Sequence, residues 1–451
     1  ILADDRGTGK TLESLGAGLL HRASSFPSGR QDGAAEVVRR PPVVVVVERR
    51  DVQTWRNELA DKVTGVEWIW HQGPKRPKRV EDLRGFDLIL TTYGVLSRDI
   101  ALFLELSPEM VFLDEANSLK SPTSAKSRDV SRMDGATLIP ITGTPVDHNP
   151  RHLHALINVA MPGLLGRAEH FASLQKLIAK HPDTALAKAE RQRVAAVIAP
   201  LLLRRTRQQL KDQFPAKREL PVEITLDRSD AATYRLFQER IHDDYLAVLE
   251  ERGLSGGRFQ INALLDKLRR WCARVGTARQ MTAKGEYVLD VVREHLEAGD
   301  KVVVFSHFNS EVAALTELLR GKGINAGRWV GEDAPAVRDR EYKLFKAGHT
   351  DVLVIGAYGA RGLDLPEARA CIIADPWIDV TTDDQMGDRV HRIISKEGVT
   401  IYRLALAGTI EQVALEMAMH MTKASEGVLT GQVPESGGSA TLHREDFDRM
   451  F

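Results

Sequence analysis

Cysteine is nearly missing from this chain: two in 451 residues, Cys272 and Cys371, far apart and each in an apolar run. That scarcity argues against a disulfide framework and a cysteine-based zinc site, and it suits a reducing intracellular compartment. An excess of either charge is missing as well. Lysine and arginine together number 62, as do aspartate and glutamate, so no overall field attracts a polyanion and nucleic-acid binding has to come from local patches. No apolar run nears the ~20 residues of a membrane span. No tandem repeat, zinc module, nuclease motif or histone-reading module is recognisable. The chain opens on Ile1 rather than Met, and a signal peptide would be invisible in a chain without its true start.

What is present is an ordinary globular composition, 43% hydrophobic, over a length suited to two or three domains. Val43–Val47 is five consecutive valines, a strand buried on both faces as in a parallel sheet. "FDLILTTY" (86–93), "MVFLDEA" (110–116) and "TLIPITGTP" (137–145) repeat the pattern of an apolar strand with small or polar residues at its carboxyl end. Helical stretches lie between, so the expectation is α/β, a doubly wound parallel sheet with ligands at the strand carboxyl ends. Residues 191–214 and 261–275 read as helical; in the latter Leu264, Leu268, Trp271 and Val275 form one apolar stripe. Strand–helix alternation then returns with "KVVVFSHF" (301–308), "DVLVIGAYGARGLDL" (351–365), "ACIIADPW" (370–377) and "VTIYRLAL" (399–406). The expected organisation is a first lobe at 1–150, its helical protrusion at 151–215, a linker and second protrusion at 216–280, a second lobe at 281–424 and a tail with a short terminal helix at 425–451.

Four segments carry chemistry. "DDRGTGKT" (4–11) sits between a short strand and a helix, where backbone N–H groups of Gly7, Thr8 and Gly9 cradle phosphates at a helix N-terminus. Lys10 would reach the β- and γ-phosphates, and Thr11 would help hold Mg²⁺. Asp4 stands where the strict phosphate-loop pattern has glycine, so a plain glycine-rich turn remains the alternative. In "VFLDEANSLK" (111–120) a strand delivers Asp114 to the metal shell and Glu115 to the attacking water. "ITGTP" (141–145) offers Thr142, Gly143 and Thr144 as coupling groups, against an ordinary strand-end turn. "DQMGDRVHRI" (384–393) places Gln385, Arg389 and Arg392 on successive helical turns, where two arginines suit phosphate charge, against a solvated basic face. His391 reads as structural.

Taken in order, these segments resemble the Swi/Snf-type DNA-dependent ATPases, superfamily-two helicase-like proteins with two RecA-like lobes. The resemblance runs from Leu2 to about Met421 and includes "ITGTPVDHNPRHLHALINVAMPGLLG" and "LLLRRTRQQLKDQFPAK". In that family Asp is usual at the Asp4 position. Two segments depart from it: "GARGLDLPEA" (359–368) carries Arg361 and Asp364 where Gly and Asn are usual, and "ADPWIDV" (374–380) replaces DPWWNP. The ARGLD core is closer to the DEAD-box helicases, whose acid box and arginine motif this chain lacks. The family also has a helix and an adenine-contacting Gln segment before the first motif, so the chain is expected to be N-terminally incomplete.

The resemblance implies ATP and Mg²⁺ as cofactors and hydrolysis between lobes, with Asp4 and Gly7–Thr11 holding ATP, Thr11 and Asp114 the metal, and Glu115, Gln385, Arg389 and Arg392 catalytic. It implies duplex DNA as partner, gripped by its phosphates with little sequence specificity, with Thr91, Thr92, Ser306, Gly359 and Arg361 as contacts. Basic clusters at 75–79, 204–207 and 269–274 are further candidates, each against a solvated surface. Three functions stay open: a duplex-DNA translocase that remodels protein–DNA complexes or DNA branches, a strand-separating DNA or RNA helicase, and a nucleic-acid-binding scaffold with a degenerate ATPase. The setting would be cytoplasm or nucleoid in a prokaryote or virus, nucleus in a eukaryote.

Overall fold

A computed structural model describes residues 1–5, 7–23, 41–49, 51–119, 121, 124–143, 150–180, 184–206, 209–356, 363–377, 380–392, 395, 397–418 and 444–451. They divide into two compact units, which meet in the chain between Leu210 and Lys211. Thr144, Gly359 and Arg361 lie outside the described residues.

The first unit holds β1 (Val43–Val47), β2 (Trp68–Trp70), β3 (Leu88–Thr92), β4 (Met110–Leu113) and β5 (Thr137–Pro140), in the order β2-β3-β1-β4-β5. The second holds β6 (Lys217–Ile224), β7 (Lys301–Ser306), β8 (Ala326–Trp329), β9 (Val352–Gly356), β10 (Ala368–Ile373) and β11 (Val399–Leu406), in the order β6-β11-β10-β7-β9-β8. Every pairing of these strands is parallel. The fold is therefore α/β throughout, as the alternation of apolar runs and helices predicts.

The valine run shows why. Side chains of a strand alternate between faces, and here both faces are covered. Val44 and Val46 enter one apolar cluster with Ile89, Val111 and Leu113; Val43, Val45 and Val47 enter another with Leu88, Leu90 and Phe112. Each fully buried side chain of this size stabilises by roughly 1.5–3 kcal/mol. β7 divides in the same way, Val302 and Val304 to one side, Val303 and Phe305 to the other. Helix Lys10–Ala23 crosses the first sheet closely at Gly18, where a Cβ would lie 2.9 Å from the Phe112 ring.

Two expectations are corrected. Residues 191–214 are not continuously helical: the helix Ala185–Ile198 gives way to a 3₁₀ turn carrying Pro200, and the chain then runs extended. Leu203 N donates to Ile1 O (3.0 Å), Ala3 N to Leu203 O (2.8 Å) and Asp5 N to Arg205 O (3.1 Å). On its other side Leu2 N donates to Pro140 O (2.9 Å) and Thr142 N to Leu2 O (3.0 Å). Apolar, arginine-rich composition suited a helix; backbone partners two hundred positions away decided otherwise. Likewise, part of the expected linker is β6, whose eight residues pair with β11 at the edge of the second sheet. Pro221 is tolerated there because an edge strand has one side without ladder bonds.

Helices Pro150–Ala160, Ala168–Lys180 and Ala185–Ile198 share a small separate core of Leu153, Ile157, Phe171, Val194 and Ile198. In the second unit, Leu264, Leu268 and Val275 are buried and Trp271 packs against the same core. The terminal helix Arg444–Met450 joins it: Phe451 stacks on Tyr245 (4.2 Å between ring centroids), whose hydroxyl donates to Asp448 (2.8 Å). Both cysteines are buried free thiols, pushed up to about 12 by burial. No helix among the described residues is long and apolar enough to cross a membrane.

Candidate active site

The extended segment Leu2–Asp5 sits beside β5, and β5 beside β4, so the glycine turn and the acid pair leave one sheet at its carboxyl edge, two strand spacings or about 10 Å apart. Gly7 (φ 80°) and Gly9 (φ 96°) hold the left-handed backbone that side chains resist, so the turn needs glycine at both. Thr8 Oγ1 donates to Asp5 O (2.9 Å) and closes the turn. The helix starts at Lys10, whose ammonium donates to Asp4 O (2.7 Å) and Asp5 O (2.8 Å), holding the cation over the loop at the helix N-terminus.

Asp4 is fully buried. Its carboxylate accepts from Arg205 N (2.7 Å), Arg205 Nε (2.8 Å) and Arg205 Nη2, and Arg205 Nη2 also reaches Glu13. These two carboxylates raise the Arg205 guanidinium above its already high range. Arg204 stands 3.6 Å from Asp5. The basic pair considered for nucleic acid is thus engaged with the first motif: it clamps the strand that carries the turn. Sequence reasoning placed both segments but not their contact, because 201 positions separate Asp4 from Arg205.

Asp114 follows β4 and is tied to the sheet through its N–H to Val46 O (2.9 Å). Its Oδ2 accepts from Trp55 Nε1 (2.6 Å), its Oδ1 from Glu115 N (2.9 Å), and its carbonyl from the Tyr93 hydroxyl (2.8 Å). Burial, with the neighbouring carboxylates Glu115 and Asp51, pushes the Asp114 carboxyl up to about 7 against the pull of those donors. Glu115 takes φ 46°, one of two described non-glycine residues with positive φ. Such strain persists where surrounding contacts over-determine it; here Ala116 N donates to Ile141 O (3.0 Å) and Ser118 N to Glu115 O (2.9 Å). Thr142 is buried and Gly143 follows it at the end of β5.

In the second unit, Arg392 Nε lies 3.0 Å from Asp364, so one departure from the family pattern is the partner of an expected catalytic arginine. Arg389 and Gln385 are half-buried on helix Val380–Val390, and Arg389 reaches Leu363 O at 3.5 Å. His391 is structural: it bonds Pro215 O (2.9 Å) and packs on Phe214.

The hydroxyl contacts expected for nucleic acid are not presented to solvent. Thr91 is buried and donates to His71 O (3.2 Å); Ser306 is buried and donates to Asp375 Oδ2 (2.7 Å); Thr92 is buried. Strand-end hydroxyls in a two-faced sheet find protein partners before they find a ligand. The loop at 75–79 is similarly engaged: Arg76 Nη2 (2.8 Å) and Lys78 (3.1 Å) bind Asp99, and Arg79 binds Asp82 (3.1 Å). Arg269 lies over the rings of Trp377 (4.1 Å) and Phe308 (5.2 Å), and Arg270 over Phe308 (4.6 Å). A cavity of about 530 Å³ opens there, lined by Arg270, Phe308, Asn309 and Ser310 among others.

A parallel sheet with a glycine turn opening a helix and an acid pair at a neighbouring strand end defines a phosphate-loop α/β lobe, followed here by a second α/β lobe. The SNF2-related domain family matches residues 1–276, and the Helicase conserved C-terminal domain family matches residues 283–394. The chain belongs to the SNF2-related family. It is 25% identical over 446 residues to mouse "SWI/SNF-related matrix-associated actin-dependent regulator of chromatin subfamily A member 1", covering 93% of this chain and 40% of that protein. It is 26% identical over 471 residues to "ATP-dependent DNA helicase DDM1" of Arabidopsis thaliana, covering 96% and 59%. The chain thus spans about 40% to 59% of the length of these curated relatives. Among solved structures, the "Sulfolobus solfataricus SWI2/SNF2 ATPase core in complex with dsDNA" aligns over 96% of this chain and 92% of that one, at 22% identity and a TM-score of 0.42.

Proposed function

We propose that the chain is an ATP-hydrolysing motor that moves along duplex DNA and remodels protein–DNA complexes or DNA branches. The observation that carries this reading is the pairing, at one sheet edge, of the Lys10 turn with the Asp114-Glu115 acid pair. Gly7–Gly9 and Lys10 receive the phosphates, with Asp4 holding the loop through Arg205. Thr11 and Asp114 would hold a hydrated Mg²⁺, and Glu115 would orient and deprotonate the attacking water. Arg389, Arg392 and Gln385 of the second unit are the candidates to supply charge and hydrogen bonds to the transferring phosphoryl group, and Thr142, Gly143 and Thr144 those to couple hydrolysis to movement.

The donor chemistry suits magnesium. Among the described residues no three His, Cys, Asp or Glu side chains gather to hold a metal, and Mg²⁺ in phosphate-transfer sites takes one or two carboxylates, the substrate phosphates and water rather than a protein cage. Asp114 is a half-buried oxygen donor whose carboxyl is pushed up by burial and by the charges of Glu115 and Asp51, an arrangement that a cation relieves. When bound, magnesium neutralises developing phosphate charge.

For DNA, the buried Thr91, Thr92 and Ser306 point to cations instead. We place the grip on phosphates at Arg270 and its neighbours in the second unit, with Gly359 and Arg361 kept as candidates. Such a grip is salt-dependent and reads little sequence. The test is ATP hydrolysis with and without duplex DNA, with triplex displacement run beside strand displacement. Duplex-stimulated hydrolysis and triplex displacement without strand separation are expected. DNA-independent hydrolysis, or none, would overturn the motor, and strand separation would return the helicase reading.

A further inference from the structure

Trp55 belongs to none of the segments that carry chemistry, yet its ring nitrogen is bonded to one of them. It lies on helix Val52–Lys62 after β1 and is 1% exposed, in the same apolar cluster as Val45, Val47, Leu90 and Phe112. From there Nε1 donates to Asp114 Oδ2 at 2.6 Å. The other carboxylate oxygen accepts Glu115 N–H, and the Asp114 carbonyl accepts the Tyr93 hydroxyl. The Asp114 carboxylate is thereby held by two groups that are themselves fixed, a buried indole and a backbone amide, while the packed tyrosine fixes its main chain.

The donor type matters. An indole N–H donates and never accepts, so it holds Oδ2 as an acceptor. Each carboxylate oxygen has two lone pairs; with one on each taken by Trp55 and Glu115, one on each remains for the water shell of a cation. A phenylalanine would fill most of the same space and leave Oδ2 to rotate.

We propose that Trp55 is a positioning residue for metal binding, setting the Asp114 carboxylate in the one orientation that receives hydrated magnesium. The proposal rests on Asp114 as the metal-shell carboxylate. Outer-shell donors of this kind change metal affinity by about 10–100-fold when removed.

The test is Mn²⁺ binding to the whole chain in the presence of ADP, followed by the free-Mn²⁺ electron paramagnetic resonance signal, with fluorescent-ADP binding in EDTA as the metal-free control. Trp55→Phe is expected to weaken Mn²⁺ binding about tenfold and leave metal-free nucleotide binding unchanged. A folded Trp55→Phe chain with undiminished Mn²⁺ affinity overturns the proposal. If phenylalanine unfolds the chain, a benzothienylalanine at position 55 keeps the ring volume, removes the N–H and is judged by the same criterion. Asp114→Asn separates the two layers. If it weakens Mn²⁺ binding and the Trp55 variants do not, only the role of Trp55 falls. If Asp114→Asn leaves Mn²⁺ affinity intact, the metal reading fails and this proposal with it.

Discussion

Replacing Arg205 by methionine tests the clamp on the phosphate loop. Asp4 is 0% exposed and accepts three donors from Arg205, of which the substitution leaves only the backbone N–H. Stripping the partner from a buried charge costs about 3–5 kcal/mol. The Arg205 side chain is 39% exposed, so water reaches the vacated position and the expected cost falls to about 2–4 kcal/mol. For a unit of this size each kcal/mol lowers Tm by about 2–4 °C, giving a fall of about 5–15 °C. Differential scanning calorimetry of the first unit's transition measures it. Arg205→Lys should recover little, since one ammonium cannot reproduce a fork shared between Asp4 and Glu13. The double variant Asp4→Asn with Arg205→Met buries no unpaired charge and should regain at least half of the loss. A fall under about 2 °C for Arg205→Met, or a double variant no better than the single, would refute the clamp.

Lys10→Ala should abolish ATP turnover while the Tm holds; near-normal turnover would remove the phosphate-loop assignment. Glu115→Gln should keep ATP binding and lose hydrolysis, and full hydrolysis would take Glu115 out of its role. Arg392→Ala should slow turnover by about 10³-fold or more with ATP affinity unchanged, as measured by single-turnover kinetics beside equilibrium binding; equal rates would make it a surface arginine. Asp99, bonded first by Arg76 and then by His71 and Lys78, has its carboxyl held well below the usual range. A depressed folded value stabilises above the unfolded pKa and is lost as pH falls through the folded one. Asp99→Asn should therefore cost about 1–2 kcal/mol at pH 7, and the gap from the parent should begin to narrow only below about pH 4. A gap independent of pH would exclude this charge network as its source.

The sheets were legible in the sequence because strands buried on both faces leave continuous apolar runs, and Val43–Val47 is the plainest of them. The turn at Gly7–Lys10 was legible for a related reason: glycine at left-handed positions and lysine at a helix start are local requirements. What escaped was non-local. Leu202–Arg205 has the composition of a helix and becomes extended only because Leu2–Asp5 offers it backbone partners. Lys217–Ile224 mixes exposed and half-buried residues along an edge with only Ile224 buried, a weaker signal than a central strand gives. Trp55 and Leu59, four apart, announce a buried helical face, but nothing in that spacing says that the indole nitrogen meets a carboxylate. That Thr91 and Ser306 are buried on protein partners was not legible either, because a hydroxyl at a strand end looks alike in sequence whether it faces solvent or a neighbouring chain segment.

The position of Leu2–Asp5 between β5 and the extended Leu202–Arg205 sets an order of events during synthesis. The glycine turn leaves the ribosome well ahead of the arginine that clamps it, with 201 positions separating Asp4 from Arg205. At ~5–20 residues per second that is a wait of about 10–40 s. In that interval β1, β3, β4 and β5 have all emerged and can pair, and Leu2 can join β5 before Arg205 arrives. The clamp of Arg205 on Asp4 therefore closes only once the first unit is nearly whole.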